Sequence, residues 1–422
     1  LTPQLSEAKF PLAVSVPNPG LQPWEFLNAN SGLSRVAWVD RTSNKASVGI
    51  GAAATVTAVA GDEVSNCVSR CREILGGSST LRFFGGFSFD GTDSWEGFGA
   101  GRFVLPRLLL SDETLTLAIT GPEDLERAKL DLERISFESS PIEFELPPPT
   151  TTNYLPTVDG WQSRIDEALS LIRSEVLEKI VLSRKAILRF ASALNPIALT
   201  SRLQAATHDC FVFCFNFEED MAFVGATPER LFYRQGDLLQ SEVVAGTRTR
   251  GENESQDEKL AIELLTSDKD QREHDIVRKS IRQKLHKFID HLRVDSQASI
   301  LRLARKQHLR SNVEGTLKPG VDDSMILNRL HPTPAVGGYP TDNALPEIAR
   351  IEPFNRGWYA APVGWIGSNS SQFAVAIRSG LVNNDELSLF SGAGIVRGSE
   401  PAEEWQEVDC KIQDFVNILG KS

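Results

Sequence analysis

What the chain lacks narrows its function before any motif is considered. No apolar run approaches the ~20 residues that a helix needs to cross a bilayer, so no membrane partner is expected. An excess of positive charge is also missing: the 422 residues carry a formal net charge of −12. That argues against a nucleic-acid or anionic-membrane surface, while leaving room for a local basic pocket. Cysteines number only five, an odd count without a secretory signal, which reads as reduced thiols in a cytosolic-type compartment. Two C-x3-C pairs, Cys67/Cys71 and Cys210/Cys214, invite a zinc reading. The first pair fits one face of a helix and the second sits inside an apolar strand, so both read better as packing. No internal repeat is visible, and no Walker A loop is present. The run from Gly392 to Gly398 places Arg397 where a dinucleotide fingerprint wants its third glycine and has no following βαβ context, which excludes a Rossmann site. The chain opens on Leu1, compatible with removal of a targeting segment. The expected location is the cytoplasm, or a plastid if such a segment was removed.

What is present is a long alternation of strand-like and helix-like segments. The first 150 residues are strand-rich, with apolar runs such as 36–39, 81–89 and 115–119 and helical periodicity near 62–75 and 122–135. A Pro/Thr stretch at 147–153 reads as a surface crossing and not a domain boundary. An amphipathic helix follows, with Val158, Trp161, Ile165, Leu169 and Ile172 at helical spacing, and feeds a strand over 179–188. Further strands are expected over 210–217, 221–224, 230–233, 238–244, 308–313, 358–366, 373–381 and 386–390. Long helical regions cover 254–292, broken near Ser267, and 401–419, the latter with a core stripe of Trp405, Val408, Ile412, Phe415 and Leu419. This predicts an α+β fold in which large, mostly antiparallel sheets form a layered core with helices outside. It is read as one domain over 1–422, with a strand-rich part over 1–150 and a catalytic part over 151–422. No coiled coil or exposed apolar stripe calls for a partner chain. A monomer is expected, with a weak dimer as the alternative.

Several polar residues stand out against this background. Extending the apolar stripe Ile276, Val277, Ile281, Leu285, Phe288, Ile289 and Leu292 back one turn lands on Glu273, and a further turn reaches Asp270. A carboxylate on a buried helix face is costly unless something positive meets it. Glu404 and Glu407 occupy successive turns of the C-terminal helix behind a glycine-rich loop, in line with Lys411. Carboxylates from two distant helices suggest a hard-metal site for an anionic ligand; a solvated acidic first turn that suits the helix dipole is the plain alternative. Lys179 shares a strand face with Val181 and Ser183, so its ammonium lies at an apolar edge. It would act as a base if desolvated, or simply snorkel to water. Glu229 follows a strand and would keep its proton beside apolar neighbours, unless it is an ordinary turn residue. Gly392 and Gly394 let a ligand approach the backbone. His331 begins a loop stiffened by prolines, as a binding loop requires. His308 follows a basic segment and could reach a ligand carboxylate.

Together these segments resemble the chorismate-utilising enzymes, and the resemblance covers most of the chain. It is carried by Glu178-Lys179-Ile180-Val181-Leu182-Ser183-Arg184, Gly225-Ala226-Thr227-Pro228-Glu229, Ala245-Gly246-Thr247-Arg248 and the stretch 269–274. Gln307-His308-Leu309, Val313-Glu314-Gly315, the stretch 331–338, Arg378 and the stretch 392–411 complete it. Within the family the chain is most similar to the isochorismate synthases. Lys179 matches the lysine that activates water in the isochorismate and salicylate branches. Ala245 stands where aminodeoxychorismate synthases carry a nucleophilic lysine, and Ala335 where lyase-competent salicylate synthases tend to carry threonine. No glutamine-amidotransferase segment is present. The segment 358–367 looks more like quinone-pathway members than siderophore ones.

The resemblance implies a Mg²⁺-dependent isomerisation of chorismate, a small-molecule substrate with two carboxylates and an allylic 4-hydroxyl. Water adds at C2 and the 4-hydroxyl leaves as the ring double bonds migrate. Lys179 would take the proton from water and Glu229 would protonate the departing hydroxyl. Glu273 and Glu407 would ligate Mg²⁺ directly or through water, with Asp270 and Glu404 in support. Arg378, Lys411 and the backbone around Gly392 and Gly394 would hold the carboxylates. Gly246 and Thr247 would contact the ring side, His308 would lie near the metal-linked carboxylate, and Ala335 would contact the substrate. A salicylate synthase is the alternative activity. An anthranilate synthase component or a catalytically silent binding module would fit less of the pattern.

Overall fold

The computed structural model describes residues 9–61, 64–92, 95–142, 147–303 and 305–420. Two large sheets carry the fold, and every strand pairing in them is antiparallel. The first has twelve strands. Its order is Leu12–Pro17, Thr114–Ile119, Leu108–Leu110, Ala46–Ile50, Arg35–Val39, Phe211–Glu218, Met221–Thr227, Ser379–Asn383, Glu386–Val396, Lys179–Arg189 and Gly338–Tyr339, with Thr151–Leu155 also on Lys179–Arg189. The second has ten strands and runs Ile289–Val294, Lys306–Leu317, Leu238–Thr249, Arg230–Gln235, Ser370–Val375, Pro362–Ile366, Phe83–Phe87, Gly101–Leu105 and Ala54–Ala58, with Ser299–Arg302 on Lys306–Leu317. Both faces of the central strands are covered, so Phe211–Phe217 is buried throughout instead of alternating. The sheets touch where the Trp38 indole of one donates to Gln372 of the other at 3.0 Å. Phe98, Phe215, Phe217, Phe223 and Trp358 form a buried aromatic cluster, with Phe98 and Trp358 meeting edge to face at 5.0 Å.

The strand-rich segment before residue 150 is built into both sheets. Arg35–Val39 pairs with Phe211–Glu218, and Phe83–Phe87 pairs with Pro362–Ile366. The Pro/Thr stretch ends in the strand Thr151–Leu155, which closes onto Lys185–Arg189. Cys67 and Cys71 are buried on the helix Val64–Leu75; Asp62, where helical periodicity begins, lies outside the described residues. Cys210 and Cys214 are also buried as free thiols.

Several expected elements are corrected. The region 254–292 is two helices and a strand: Glu254–Thr266, then Asp268–Leu285 capped by the Ser267 hydroxyl, then the strand from Ile289. The second helix ends seven residues earlier than 292, because 289–294 pairs with Lys306–Leu317. Its buried face is Asp270, His274, Val277, Ile281 and Leu285; Ile276 and Glu273 lie on the flank. On the helix Val158–Arg173, Val158 is exposed and Ala168 replaces Leu169 as the buried residue. Only Pro362–Ile366 of 358–366 is strand. The expected strand 373–381 is two strands in different sheets, broken before Ser379 by Arg378 at φ +50°. On the C-terminal helix Pro401–Gly420, Val408, Ile412 and Phe415 are buried and Trp405 is partly buried; the Leu419 side chain lies outside the described residues.

Candidate active site

The chain crosses from one sheet to the other at two neighbouring places, and these crossings open a cavity. Met221–Thr227 passes into Arg230–Gln235 through Pro228 and Glu229, and Ser370–Val375 passes into Ser379–Asn383 through Ile377 and Arg378. The crossings are tied together: the Thr227 hydroxyl donates to the Val375 carbonyl at 2.7 Å, Val375 N–H to Glu229 at 3.0 Å and Ala226 N–H to Arg378 at 3.1 Å. Glu229 and Arg378 are thereby held by backbone hydrogen bonds. Both face a cavity of about 420 Å³. The strands Leu238–Thr249 and Glu386–Val396 and the helices Asp268–Leu285 and Pro401–Gly420 supply the rest of its wall.

Lys179 is fully buried on its strand, with its ammonium 2.7 Å from a Glu273 carboxylate oxygen. Gly394 makes this pairing feasible. A Cβ there would stand 2.8 Å from both the Glu273 oxygen and the Lys179 Cε, so any larger residue would displace one of them. Glu229 is buried, and its carboxyl is pushed up to about 8. Burial is the main cause and the nearby Glu242 adds to it, while Lys179 opposes the shift. Glu242 is itself gripped by Arg41 at 2.6 and 3.0 Å. At neutral pH Glu229 therefore carries a proton it can donate, within the field of Lys179.

The other wall is cationic. Arg378 lies 2.8 Å from His308 Nε2, and Thr247 Oγ1 is 3.0 Å from His308 Nδ1. Burial and the neighbouring Arg378 hold His308 well below the usual imidazole range, so the ring is neutral. It then accepts at Nε2 and carries its proton on Nδ1, toward Thr247 and the Gly246 carbonyl 3.3 Å away. Gly246 has φ +78° at a register shift in its strand pair, a conformation that only glycine adopts freely. Lys411 donates to the Gly392 carbonyl at 3.0 Å and to Glu407 at 2.7 Å. Beside Lys411, Glu407 is held below the ordinary carboxylate range.

Four glutamates line this region from two helices: Glu273 from one, and Glu403, Glu404 and Glu407 from the other. Glu404 is buried, and one of its carboxylate oxygens has no hydrogen-bond partner among the described residues. Its acidity is weakened chiefly by burial and further by Glu407 and Glu273, against a hydrogen bond from Ser399. Lys269 stands 3.6 Å away. The oxygen without a donor is the one that meets the Lys269 ammonium, at ion-pair but not hydrogen-bond distance, and two other carboxylates lie nearby. Among the described residues no three such side chains converge tightly enough to enclose a metal by themselves. An all-carboxylate, open donor set fits a hard cation that keeps several waters, as Mg²⁺ does. Asp270 lines the cavity too, but its carboxylate is engaged by Arg248 at 2.7 Å, so it acts on the site through that arginine.

The residues singled out for catalysis or binding line this cavity, except His331 and Lys179, the latter reaching its edge through Glu273. Ala335 and Val336 line it from the 331–338 loop; His331 instead spends Nε2 on the Phe89 carbonyl at 3.0 Å. Tyr359 was missed. It lines the wall, stacks on Phe390 at 5.2 Å, and has its phenol pushed up to about 12, mainly by burial. The 358–367 segment drew notice for its overall pattern, and nothing in its spacing set this side chain apart.

Comparison with known proteins points one way. A family model described as chorismate binding enzyme matches residues 4–420. The chain is 37% identical over 363 residues to isochorismate synthase 2, chloroplastic, of Arabidopsis thaliana, covering 81% of this chain and 65% of that protein. It thus spans a little under two thirds of that relative's length. It is 34% identical to isochorismate synthase MenF of Bacillus subtilis, covering 80% of this chain and 74% of the relative. The solved structure of MenF, the menaquinone-specific isochorismate synthase from Escherichia coli, superposes with a TM-score of 0.89 at 30% identity, over 98% of this chain and 97% of that one. Anthranilate synthase component I from Streptococcus pneumoniae shares the fold, with a TM-score of 0.69 at 19% identity.

Proposed function

The chain belongs to the chorismate-binding enzyme family, and we propose that it is an isochorismate synthase, an isomerase that converts chorismate to isochorismate. The observation that carries this reading is the combination of a buried, proton-bearing Glu229 on the cavity wall with a buried Lys179 at the cavity's edge, joined to it through Glu273. Isomerisation by 1,5-transposition of a hydroxyl needs one group to take a proton from water and another to give one to the leaving hydroxyl. Lys179 is the base and Glu229 the acid. Each such group is typically worth ~10²–10⁴ in rate. A lysine must be neutral to accept a proton, and the group that Lys179 meets at 2.7 Å is the Glu273 carboxylate.

Arg378 and Lys411 bind the substrate carboxylates, with the Gly392 and Gly394 backbone allowing close approach. The neutral His308, accepting from Arg378, fixes that guanidinium toward the cavity and leaves the positive charge on Arg378. Glu273, Glu404 and Glu407 would hold Mg²⁺, with Asp270 supporting them by orienting Arg248. When bound, the ion would neutralise a substrate carboxylate and polarise the site. The apolar stretch Val181, Ile377, Leu389 and Phe390 limits water in the pocket to what the reaction uses.

Among the described residues no helix is long and apolar enough to cross a membrane. Cytoplasm, or a plastid after loss of a targeting segment, remains our assignment, and the Arabidopsis relative is named chloroplastic. We extend the quinone-precursor role in the name of the Escherichia coli neighbour to this chain, with the 358–367 segment as the supporting feature. The deciding experiment is incubation with chorismate and Mg²⁺ followed by chromatography. Isochorismate as the main product is expected; stoichiometric salicylate and pyruvate, or untouched chorismate, would overturn the assignment.

A further inference from the structure

The strand that carries Lys179 has a gap along one edge. On one side it pairs with Glu386–Val396 along its whole length. On the other, Gly338–Tyr339 pairs only with Lys179 and Ile180, and Thr151–Leu155 only with Lys185–Arg189. Between these short strands, at residues 181–184, no strand among the described residues completes the ladder. Backbone groups there still need partners, because an unmade buried hydrogen bond costs about 1–3 kcal/mol. Val181 N–H finds the Gly337 carbonyl at 2.9 Å. Two further groups are met by side chains: Ser183 N–H donates to Glu352 at 2.7 Å, and the Val181 carbonyl accepts from Arg356 at 2.8 Å.

Glu352 and Arg356 form a two-contact ion pair at 2.6 and 2.8 Å, with both side chains only 3% exposed. Arg356 sends its other terminal nitrogen to the Val336 carbonyl at 2.8 Å and lies 4.3 Å over the Phe89 ring. One guanidinium therefore bonds two walls of the cavity: the strand of Lys179, through Val181, and the loop of Ala335, through Val336. Neither Arg356 nor Glu352 lines the cavity.

We infer that Arg356 and Glu352 are positioning residues that replace the missing strand segment and fix the Ala335–Val336 wall against the strand of Lys179. The inference rests on the proposed reaction, because the wall it sets is the one expected to separate simple isomerisation from pyruvate elimination. Arginine is required because its planar fork serves two carbonyls and a carboxylate at once; a lysine keeps the charge but not this geometry.

A purely structural ion pair would also destabilise the protein when broken, so the test uses quantities that do not depend on the fraction of folded enzyme. These are KM for chorismate and the pyruvate released per isochorismate formed. R356K is expected to raise KM and the pyruvate ratio, each at least about threefold, with kcat/KM per folded enzyme falling about tenfold from small misplacement. R107K is the matched control, because Arg107 is fully buried in an ion pair with Asp124 at 2.7 Å and lines none of the cavity. It should lower Tm and leave both quantities unchanged. Should R356K fail to fold, E352Q carries the same expectation, since its amide still accepts from Ser183 N–H but no longer grips Arg356. Wild-type KM and wild-type pyruvate ratio in the folded variant, with only Tm reduced, would sink the inference. That result would leave the isomerase assignment intact, because the wild-type protein tests that assignment separately.

Discussion

Glu229 shows how one residue can be tuned by its place in the fold. It sits where the chain leaves one sheet for the other, so no strand face carries it toward solvent, and burial lifts its carboxyl from near 4.5 to about 8. Two predictions follow from that shift. As general acid it must hold its proton, so kcat/KM should fall as pH rises past about 8, and E229Q should remove turnover; full activity in E229Q would end the acid assignment. The second concerns stability. Below about 4.5 the folded and unfolded chains both hold the proton; between there and about 8 only the folded chain does, so rising pH favours unfolding throughout that window. E229Q has no proton to lose. Its Tm should therefore gain on wild type from about pH 5 to pH 8 and hold a constant lead above, and a pH-independent difference would contradict the buried-acid picture. Lys179→Ala should abolish turnover while leaving the far-UV circular dichroism unchanged, since its strand stays paired with Glu386–Val396 along its whole length.

At the scale of elements, the two helices that carry acids converge on one point without enclosing a metal by themselves. Glu404 is buried, with one oxygen that lacks a hydrogen-bond donor and meets Lys269 only at 3.6 Å, and its carboxyl is driven upward chiefly by burial. Mg²⁺ should therefore raise Tm by binding the folded state, by about 2.7 kcal/mol of stability at a hundredfold excess over Kd. Glu273→Gln and Glu407→Gln should each erase most of that gain, and a full Mg²⁺ shift in both variants would move the site elsewhere. Much of this was legible in the chain. The Ser267 cap, the glycine-rich approach to the C-terminal helix and the Glu404, Glu407, Lys411 line all follow local rules of spacing and capping. The helix predicted to run to 292 was not, because residues 289–294 are claimed by a strand partner far along the chain. Arg378 illustrates the same limit. Its neighbours read as one strand, and only the change of sheet at Ile377–Arg378 shows why it turns into the cavity. Arg356 and Glu352 were invisible for a related reason, as the gap they fill exists only once strands from distant segments are paired.

For the whole molecule, what matters is that strands before residue 150 pair directly with strands after it in both sheets. A catalytic part over 151–422 would lose Arg35–Val39 from the edge of Phe211–Glu218 and Phe83–Phe87 from the edge of Pro362–Ile366. It would also expose Phe215, Phe223 and Trp358, whose cluster is completed by Phe98 from the first part. Exposed hydrophobic strand edges of this kind lead to aggregation rather than to an independent fold. Calorimetry should accordingly show one cooperative transition for the intact chain, and residues 151–422 expressed alone should be insoluble. The stretch 147–149 is outside the strands and largely exposed, so a protease site placed there should allow cleavage without separation of the pieces. The nicked protein should keep its activity and its single transition, because the sheets and not the peptide link hold the two parts together. Two resolved transitions, or a soluble and active 151–422 fragment, would mean that the sheets tolerate loss of their N-terminal strands and that the site is organised by the later segments alone.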